Sequence, residues 1–211
     1  MAQFDEFSGL LEGPRARGAF ALRCVLQSPW SLRVEANSPL TVLAMVKGSC
    51  HIQHDNGESV ALEVGDVAVT RAPGLYTLSD FPGTEPTIHI YPGQDCRAPD
   101  ELMRGVRTWG NADEAETLIL MGSYESMADV SERLRNALPP MLWVKSPDWN
   151  SPLVAMLNDE VARDAPGQAA VLDRLLDMLL IAILRAWFDR DESREQPWYQ
   201  AKGDPVVGAT M

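Results

Sequence analysis

Short apolar runs broken by turn residues dominate the first half of the chain. Between residues 19 and 92, about eight such runs recur at roughly ten-residue spacing. The turns between them contain Ser-Pro, Lys-Gly, Asp-Asn-Gly and Pro-Gly, which favour tight reversals. This pattern is typical of an antiparallel sandwich or barrel. A polar loop (93–115) then precedes another apolar run at 117–125, which we predict to be a strand returning to the first sheet, as in a jelly roll.

After residue 125 the spacing of apolar positions changes to that of helices. Residues 126–140 predict a helix capped by Ser126, and residues 151–167 predict a second helix capped by Ser151. The longest predicted helix covers 168–190, and its apolar positions extend over more than one side. One side would pack against the barrel, and the surplus predicts a homodimer contact. The residues predicted for that contact are Leu172, Leu176, Leu179, Leu180, Ile183, Leu184 and Trp187.

These patterns predict a mainly β plus α fold with three segments. Residues 1–125 would form the barrel together with a short N-terminal helix within residues 1–18. Residues 126–192 would form a helical dimerisation segment. Residues 193–211 are polar and then mildly apolar, and we predict a linker that leads toward a further domain.

The charge of the chain excludes one class of partner. The formal net charge is −12, from 18 basic and 30 acidic residues, and the basic residues do not cluster. A DNA-binding domain needs a basic face to contact phosphates, so we expect these residues alone not to bind nucleic acid. The apolar runs fall far short of the roughly 20 residues of a membrane helix, and the acidic N-terminus does not resemble a secretory signal. We therefore expect a cytoplasmic protein without a membrane partner.

Several longer strings are more specific than the overall pattern. Together they resemble the cupin-type N-terminal domain of AraC-family transcriptional regulators, especially those of actinobacteria, over nearly the whole chain. The strings are RARGAFALRCVLQSPWSLRVE (15–35), GDVAVTRAPGLYTLSD (65–80), GVRTWGN (105–111), PGQAAVLDRLLDMLLIAILRAWF (166–188) and WYQAKGDPVVG (198–208).

The resemblance implies a cupin-like jelly-roll barrel that binds an unidentified small-molecule effector and dimerises through its helices. In that family, a string like residues 198–208 precedes two helix-turn-helix motifs, so we expect DNA contact only through a domain absent from these 211 residues. Two alternatives stay open at this point. One is a stand-alone cupin enzyme, such as a metal dioxygenase or isomerase, and the other is a structural dimerisation module with a filled barrel.

The residues depart from the metal-binding cupin pattern. A metal-binding cupin places a His-x-His pair and a carboxylate on an early strand, where this chain has LTVLAMVKG, and a later His where it has Tyr76 and Thr77. A manganese or iron site needs three or four converging nitrogen or oxygen ligands. We therefore expect no metal, no cofactor and no enzyme activity. His51 and His54 flank the Asp-Asn-Gly turn, and we expect both to be exposed.

An effector pocket would be mostly apolar with a few polar groups. Two tryptophans in loop-like positions could stack on an effector, although anchoring loops onto the core is their more usual role. His89 and Tyr91 share one strand face, and they line a pocket only if the isoleucines beside them do not fill the core. The candidate ligand-binding residues are Arg23, Trp30, Arg33, Tyr76, His89, Tyr91, Arg107 and Trp109.

The three cysteines do not form a CxxC or CxH zinc motif. We expect Cys50 to be a buried small apolar residue. The resemblance carries a redox hypothesis for the other two, because related regulators place cysteines in contexts like those of Cys24 and Cys96. This hypothesis requires the two Cα atoms to lie within about 7 Å for a disulfide, or to share a soft metal.

Overall fold

The structure is a computed structural model that describes residues 15–17, 20–91, 102–149 and 151–190. The predicted linker at 193–211, Cys96 and most of the predicted N-terminal helix lie outside the described residues. Within the described residues, no helix is both long and apolar enough to cross a membrane.

Two facing β-sheets form the body of the described chain. The larger sheet has the strand order β12-β6-β3-β11-β1-β10-β9, and the smaller one has the order β5-β4-β7-β2-β8. The strands are β1 (Phe20–Leu26), β2 (Ser31–Ala36), β3 (Leu40–Lys47), β4 (Ser49–His54), β5 (Ser59–Glu63), β6 (Val67–Arg71), β7 (Gly74–Ser79), β8 (Ile88–Ile90), β9 (Met103–Gly105), β10 (Thr108–Gly110), β11 (Thr117–Ser123) and β12 (Met141–Val144).

The helices come after β11 in the chain: α1 (Glu132–Ala137) before β12, then α2 (Leu153–Val161) and α3 (Gln168–Phe188), with a 3-10 turn at Ser146–Asp148. This arrangement confirms the predicted fold class of a jelly-roll barrel followed by helices. The late strand β11 pairs with both β1 and β3, as a returning strand should.

Three strands lie where we predicted none. β9 and β10 occur in the stretch predicted as a loop, and they extend the large sheet beside β1. β12 pairs with β6 inside the segment predicted to be helical. The first helix is also shorter than predicted, because Ser131 rather than Ser126 caps it, its side chain accepting a hydrogen bond from the Leu134 N–H.

The strands of the large sheet face two separate cores. Side chains alternate between the two faces of a strand, so Ile119 and Met121 on β11 point into the barrel whereas Leu120 points toward the helices. Gly122 also faces the helices, and a Cβ built there would lie 2.5 Å from Leu176 on α3. The missing side chain of Gly122 therefore lets α3 pack close to the sheet.

A buried carboxylate joins α3 to the barrel. Asp177 accepts hydrogen bonds from the Ala16 N–H at 2.9 Å and from the Tyr124 hydroxyl at 3.1 Å. Arg174, one turn earlier on α3, is paired with the same carboxylate at 3.1 Å. Burial and the nearby Asp177 charge raise the pKa of Tyr124 above its ordinary value, so its hydroxyl stays a donor. The register of α3 on the barrel is thus set by polar as well as apolar contacts.

A second buried carboxylate fixes the turn between β5 and β6. Asp66 accepts hydrogen bonds from the Glu63 and Ser146 N–H groups, and it forms an ion pair with Lys145 at 2.8 Å. Burial alone would raise the pKa of Asp66, but the bonds from Lys145, Glu63 and Ser146 outweigh burial and hold the pKa below its ordinary value. This turn is therefore tied to the chain that follows β12.

Candidate functional site

The candidate site is the barrel interior between the two sheets, which is filled by inward-facing side chains of both. These side chains form one apolar cluster, and it contains the three aromatic residues Trp30, Tyr76 and Trp109, all buried. The structure thus brings together three of the eight predicted ligand-binding residues. Sulfur-containing side chains contribute much of the remaining wall: Cys24, Cys50, Met45, Met121 and Met141.

The loop between β1 and β2 holds Trp30 in place through Asp80. The Asp80 carboxylate accepts hydrogen bonds from the Ser28 hydroxyl, the Trp30 N–H at 3.2 Å and the Thr84 hydroxyl at 2.9 Å. Burial would raise the pKa of Asp80, but these bonds lower it overall. Because Asp80 anchors the backbone of this loop, the Trp30 ring is directed into the barrel, where it is 1% exposed.

Trp109 enters the barrel from the large sheet. It lies on β10, which runs parallel to β1, and it is paired in register with Cys24. The next residue, Gly110, is packed so closely that an added Cβ would lie 1.7 Å from the Val25 carbonyl oxygen. A glycine is therefore needed at this position for β10 to approach β1 and place Trp109 inside.

Buried N–H donors without acceptors occur on the inward faces of the described residues. They include the indole Nε1 atoms of Trp30 and Trp109 and the Nε2 atom of His54. The Nδ1 atom of His54 accepts a hydrogen bond from the Asn56 N–H at 3.2 Å, so the proton of a neutral His54 ring lies on Nε2. The sequence predicted that both histidines are exposed, and for His54 this was wrong. The His54 side chain points inward and is buried, whereas the His51 side chain faces outward and is half-buried.

The three arginines proposed as polar groups of the pocket lie on outward positions. Arg33 on β2 forms an ion pair with Asp55 at 2.8 Å and donates to the Thr77 hydroxyl at 3.0 Å. Arg23 alternates on β1 with the inward-facing Leu22 and Cys24.

Arg107 lies in the turn between β9 and β10, where it donates to the Gln168 side chain at the start of α3. Its guanidinium group also donates to the Ala21 carbonyl oxygen at 3.4 Å, and its own carbonyl oxygen accepts from the Arg23 N–H at 2.8 Å. Arg107 thus joins the helix to the sheet and does not reach the barrel interior through these contacts.

His89 and Tyr91 also lie outside the barrel. Ile88 and Ile90 pack partly against the inner cluster, which turns His89 to the outer face. The rings of His89 and Tyr91 stack there with centroids 6.0 Å apart, and Tyr91 is 46% exposed. The sequence left both orientations of this strand open, and the structure selects the one in which the isoleucines face the core.

The described cysteines are both buried on inward positions. Cys24 pairs in register with Ile119 and Trp109. The Cys50 thiol donates to the Met45 sulfur at 3.4 Å, and burial is the main cause that raises the pKa of Cys50 to about 12. Cys50 is therefore a poor nucleophile near neutral pH. The pairing of Cys24 with Cys96 stays a prediction, because Cys96 lies outside the described residues.

The seven residues predicted for the dimer contact are buried within the single chain. They pack between the large sheet and α2, in the helix-side core that also contains Leu120 and Tyr124. The side chains that α3 exposes lie elsewhere on the helix and include Val171 at 45% and Met178 at 54%. A partner helix would therefore meet Val171 and Met178 before it met any of the seven.

The described residues contain no group of three or more histidine, cysteine or acidic side chains placed to hold a metal ion. The inner cluster is apolar and rich in sulfur, and it contains the indole N–H groups of Trp30 and Trp109. The alternation of side chains along β1 and β2 could be read from the sequence. The donors without acceptors could not, because they depend on what each ring meets across the barrel.

Comparison with protein families identifies the architecture. The Cupin family model matches residues 5–189. The chain belongs to the cupin family. No curated protein matches this cupin in sequence.

Solved structures similar to this cupin include two of ToxT from Vibrio cholerae. An apo variant is 11% identical at a TM-score of 0.46, covering 90% of this chain and 71% of that one. A form with bound unsaturated fatty acid is 11% identical at a TM-score of 0.39, covering 90% and 59%. YhaK from Escherichia coli is 8% identical at a TM-score of 0.33, and the match covers 65% of this chain and 47% of YhaK. These values are too low to assign a ligand or an activity to the chain.

Proposed function

We propose that the chain is the effector-binding and dimerisation domain of an AraC-type transcription regulator. The observation that carries this proposal is the pair of buried indole N–H groups, on Trp30 and Trp109, that face the barrel interior without an acceptor. A buried donor left unpaired costs about 1–3 kcal/mol, so a molecule that pairs with such donors is stabilised inside the barrel.

The family membership and the sequence strings support the regulatory part of the proposal. The cupin match covers the barrel and the helices together, and the strings that resemble AraC-family regulators come from both parts. With a formal net charge of −12, the chain needs another domain to contact DNA phosphates. The effector would then act by favouring one arrangement of two attached DNA-binding domains.

Dimerisation through α3 is the second part of the proposal. The exposed Val171 and Met178 lie two helical turns apart on the same face of α3, with Arg174 between them. This face supports a contact with a second copy, and it replaces the buried residues predicted from the sequence. Redox sensing through Cys24 and Cys96 stays a prediction for the same domain.

The test begins with the gene that encodes the chain. We expect its reading frame to continue beyond Met211 into two helix-turn-helix motifs. The complete regulator is then expressed with a reporter under its own promoter, and small molecules that raise the Tm of residues 1–211 are added. An effector should change reporter output, and the same effector should lose its action in a Trp30→Phe, Trp109→Phe double variant. A stop codon directly after Met211, or a reporter that ignores every stabilising molecule, would refute the proposal.

A further inference from the structure

The barrel interior indicates what kind of molecule would occupy it, if the proposed effector role is correct. Trp30 and Trp109 lie near the same end of the barrel. Trp30 lies just before β2, in the loop that follows Leu26, the last residue of β1. Trp109 is in register with Cys24, which lies two residues before Leu26. Both rings belong to one cluster of contacting side chains. The two indole donors therefore belong to the same end of the barrel interior.

His54 does not belong to this end. It is in register with Tyr76, which is in register with Val34 on β2. Val34 is four residues beyond Trp30, so His54 is displaced along the barrel by about 13 Å at the usual rise of a strand. The two tryptophans thus form a separate pair of donors.

The donors at this end require an acceptor on the ligand. Tryptophan Nε1 can donate a hydrogen bond but cannot accept one. A hydrocarbon would leave both N–H groups unpaired, as they are without a ligand. An occupant that carries an oxygen acceptor would pair with one or both of them.

The surroundings favour a neutral acceptor over a carboxylate. Arg23, Arg33 and Arg107 are all engaged on the outer side of the sheets or placed there by the strand alternation. A buried carboxylate without a cation is costly, whereas a carbonyl oxygen needs only donors. The methionines and cysteines of the wall are apolar and adaptable in shape, which suits an apolar body of irregular outline.

We infer that the barrel binds a neutral, mostly apolar compound with a carbonyl oxygen, and that the Trp30 and Trp109 indoles donate hydrogen bonds to that oxygen. The carbonyl group lies at the end of the barrel beside Cys24, and the apolar body extends between the two sheets. This inference rests on the proposed effector role and adds the ligand class to it.

The test compares three classes of probe with matched carbon frames. Acetophenone and cyclohexanone are the carbonyl compounds, benzoate and cyclohexanecarboxylate the acids, and ethylbenzene and methylcyclohexane the hydrocarbons. We expect the carbonyl compounds to raise the Tm of the chain, and to bind roughly tenfold more tightly than the other two classes, as one added hydrogen bond allows.

Phenylalanine variants identify the donors. Trp30→Phe and Trp109→Phe keep an aromatic ring but remove the N–H, and each should weaken ketone binding by roughly tenfold. Trp187→Phe is the matched control, since Trp187 lies in the helix-side core, and it should leave the affinity unchanged. If a variant fails to fold, NMR of the unaltered chain with nitrogen-labelled tryptophan replaces it. Two of the six indole N–H signals should then shift on adding ketone.

The outcomes separate the ligand class from the effector role. Tighter binding of the acids or hydrocarbons overturns the carbonyl inference and leaves the effector role standing. Failure of both ketones to bind also overturns it. The effector role is judged separately, by whether any stabilising molecule changes the reporter.

Discussion

The hydroxyl of Tyr124 donates a hydrogen bond to the Asp177 carboxylate across the interface between the barrel and α3, with 3.1 Å between the oxygens. Asp177→Ala removes the acceptor that Tyr124 and the Ala16 N–H share. Since both donors would be left buried and unpaired, we expect a loss of about 2–4 kcal/mol in the free energy of unfolding. Urea unfolding of the variant and the unaltered chain measures this difference.

Arg174→Ala is the control for that experiment. Arg174 pairs with the same carboxylate, but its side chain is 69% exposed, so the loss should be below about 1 kcal/mol. Equal losses in the two variants would show that the charge pair, rather than the buried donors, carries the stability of the junction.

Acid should destabilise the protein partly through Asp66. Its pKa is lowered from its ordinary value in the folded chain, so the unfolded chain takes up a proton first as the pH falls. The stabilisation by Asp66 is therefore present above about pH 4 and is lost as the pH falls through the folded pKa. We expect the urea midpoint to fall more steeply below about pH 4 in the unaltered chain than in Asp66→Asn.

Substitutions at two adjacent residues of α3 should have separate effects, one on stability and the other on dimerisation. Leu179→Ala creates a cavity in the helix-side core and should cost about 2–5 kcal/mol of stability at any protein concentration. Met178→Glu, at a side chain 54% exposed, should leave the stability of the single chain nearly unchanged but favour the monomer. Light scattering after size-exclusion chromatography measures the assembly state. A dimer that survives Met178→Glu and dissociates in a stable Leu179→Ala protein would contradict the proposed interface.

A side chain at Gly110 should disturb the strand that carries Trp109. The Cβ of alanine would lie 1.7 Å from the Val25 carbonyl oxygen, so the two strands must separate. We expect Gly110→Ala to destabilise the chain by about 1–3 kcal/mol or more and to increase the exposure of Trp109. Thermal unfolding and acrylamide quenching of tryptophan fluorescence measure these effects. Gly57→Ala is the control, because a Cβ there meets nothing within 4 Å and the cost is limited to its positive φ of 93°.

The sequence predicted the elements that have a regular apolar pattern. β11 and α3 are examples, because alternation and helical spacing are local properties that survive in the folded chain. β9, β10 and β12 have three or four residues each, too few for a pattern, and they are strands because neighbouring strands supply their hydrogen bonds. Their presence could be seen only in the structure.

The candidate site was predictable in its aromatic residues but not in its polar ones. Trp30, Tyr76 and Trp109 are large apolar side chains in a sheet protein, and burial is their ordinary fate. Arg23 and Arg33 were considered for the pocket by residue type, although each lies between two inward-facing neighbours and the alternation places it outside. For His54, the strand pairing with Tyr76 decided its burial, and that pairing joins residues 22 positions apart.

The wall between the two cores is a single sheet, so both cores share the same strands. Moving one residue along β11, from Met121 to Gly122, passes from the barrel interior to the surface that holds Leu176 of α3. A molecule that pushed Met121 outward would press the sheet against the helix with no layer between to absorb the movement. Melting either core would likewise remove the support of the other. The barrel and its helices should therefore unfold as one cooperative unit, in a single calorimetric transition.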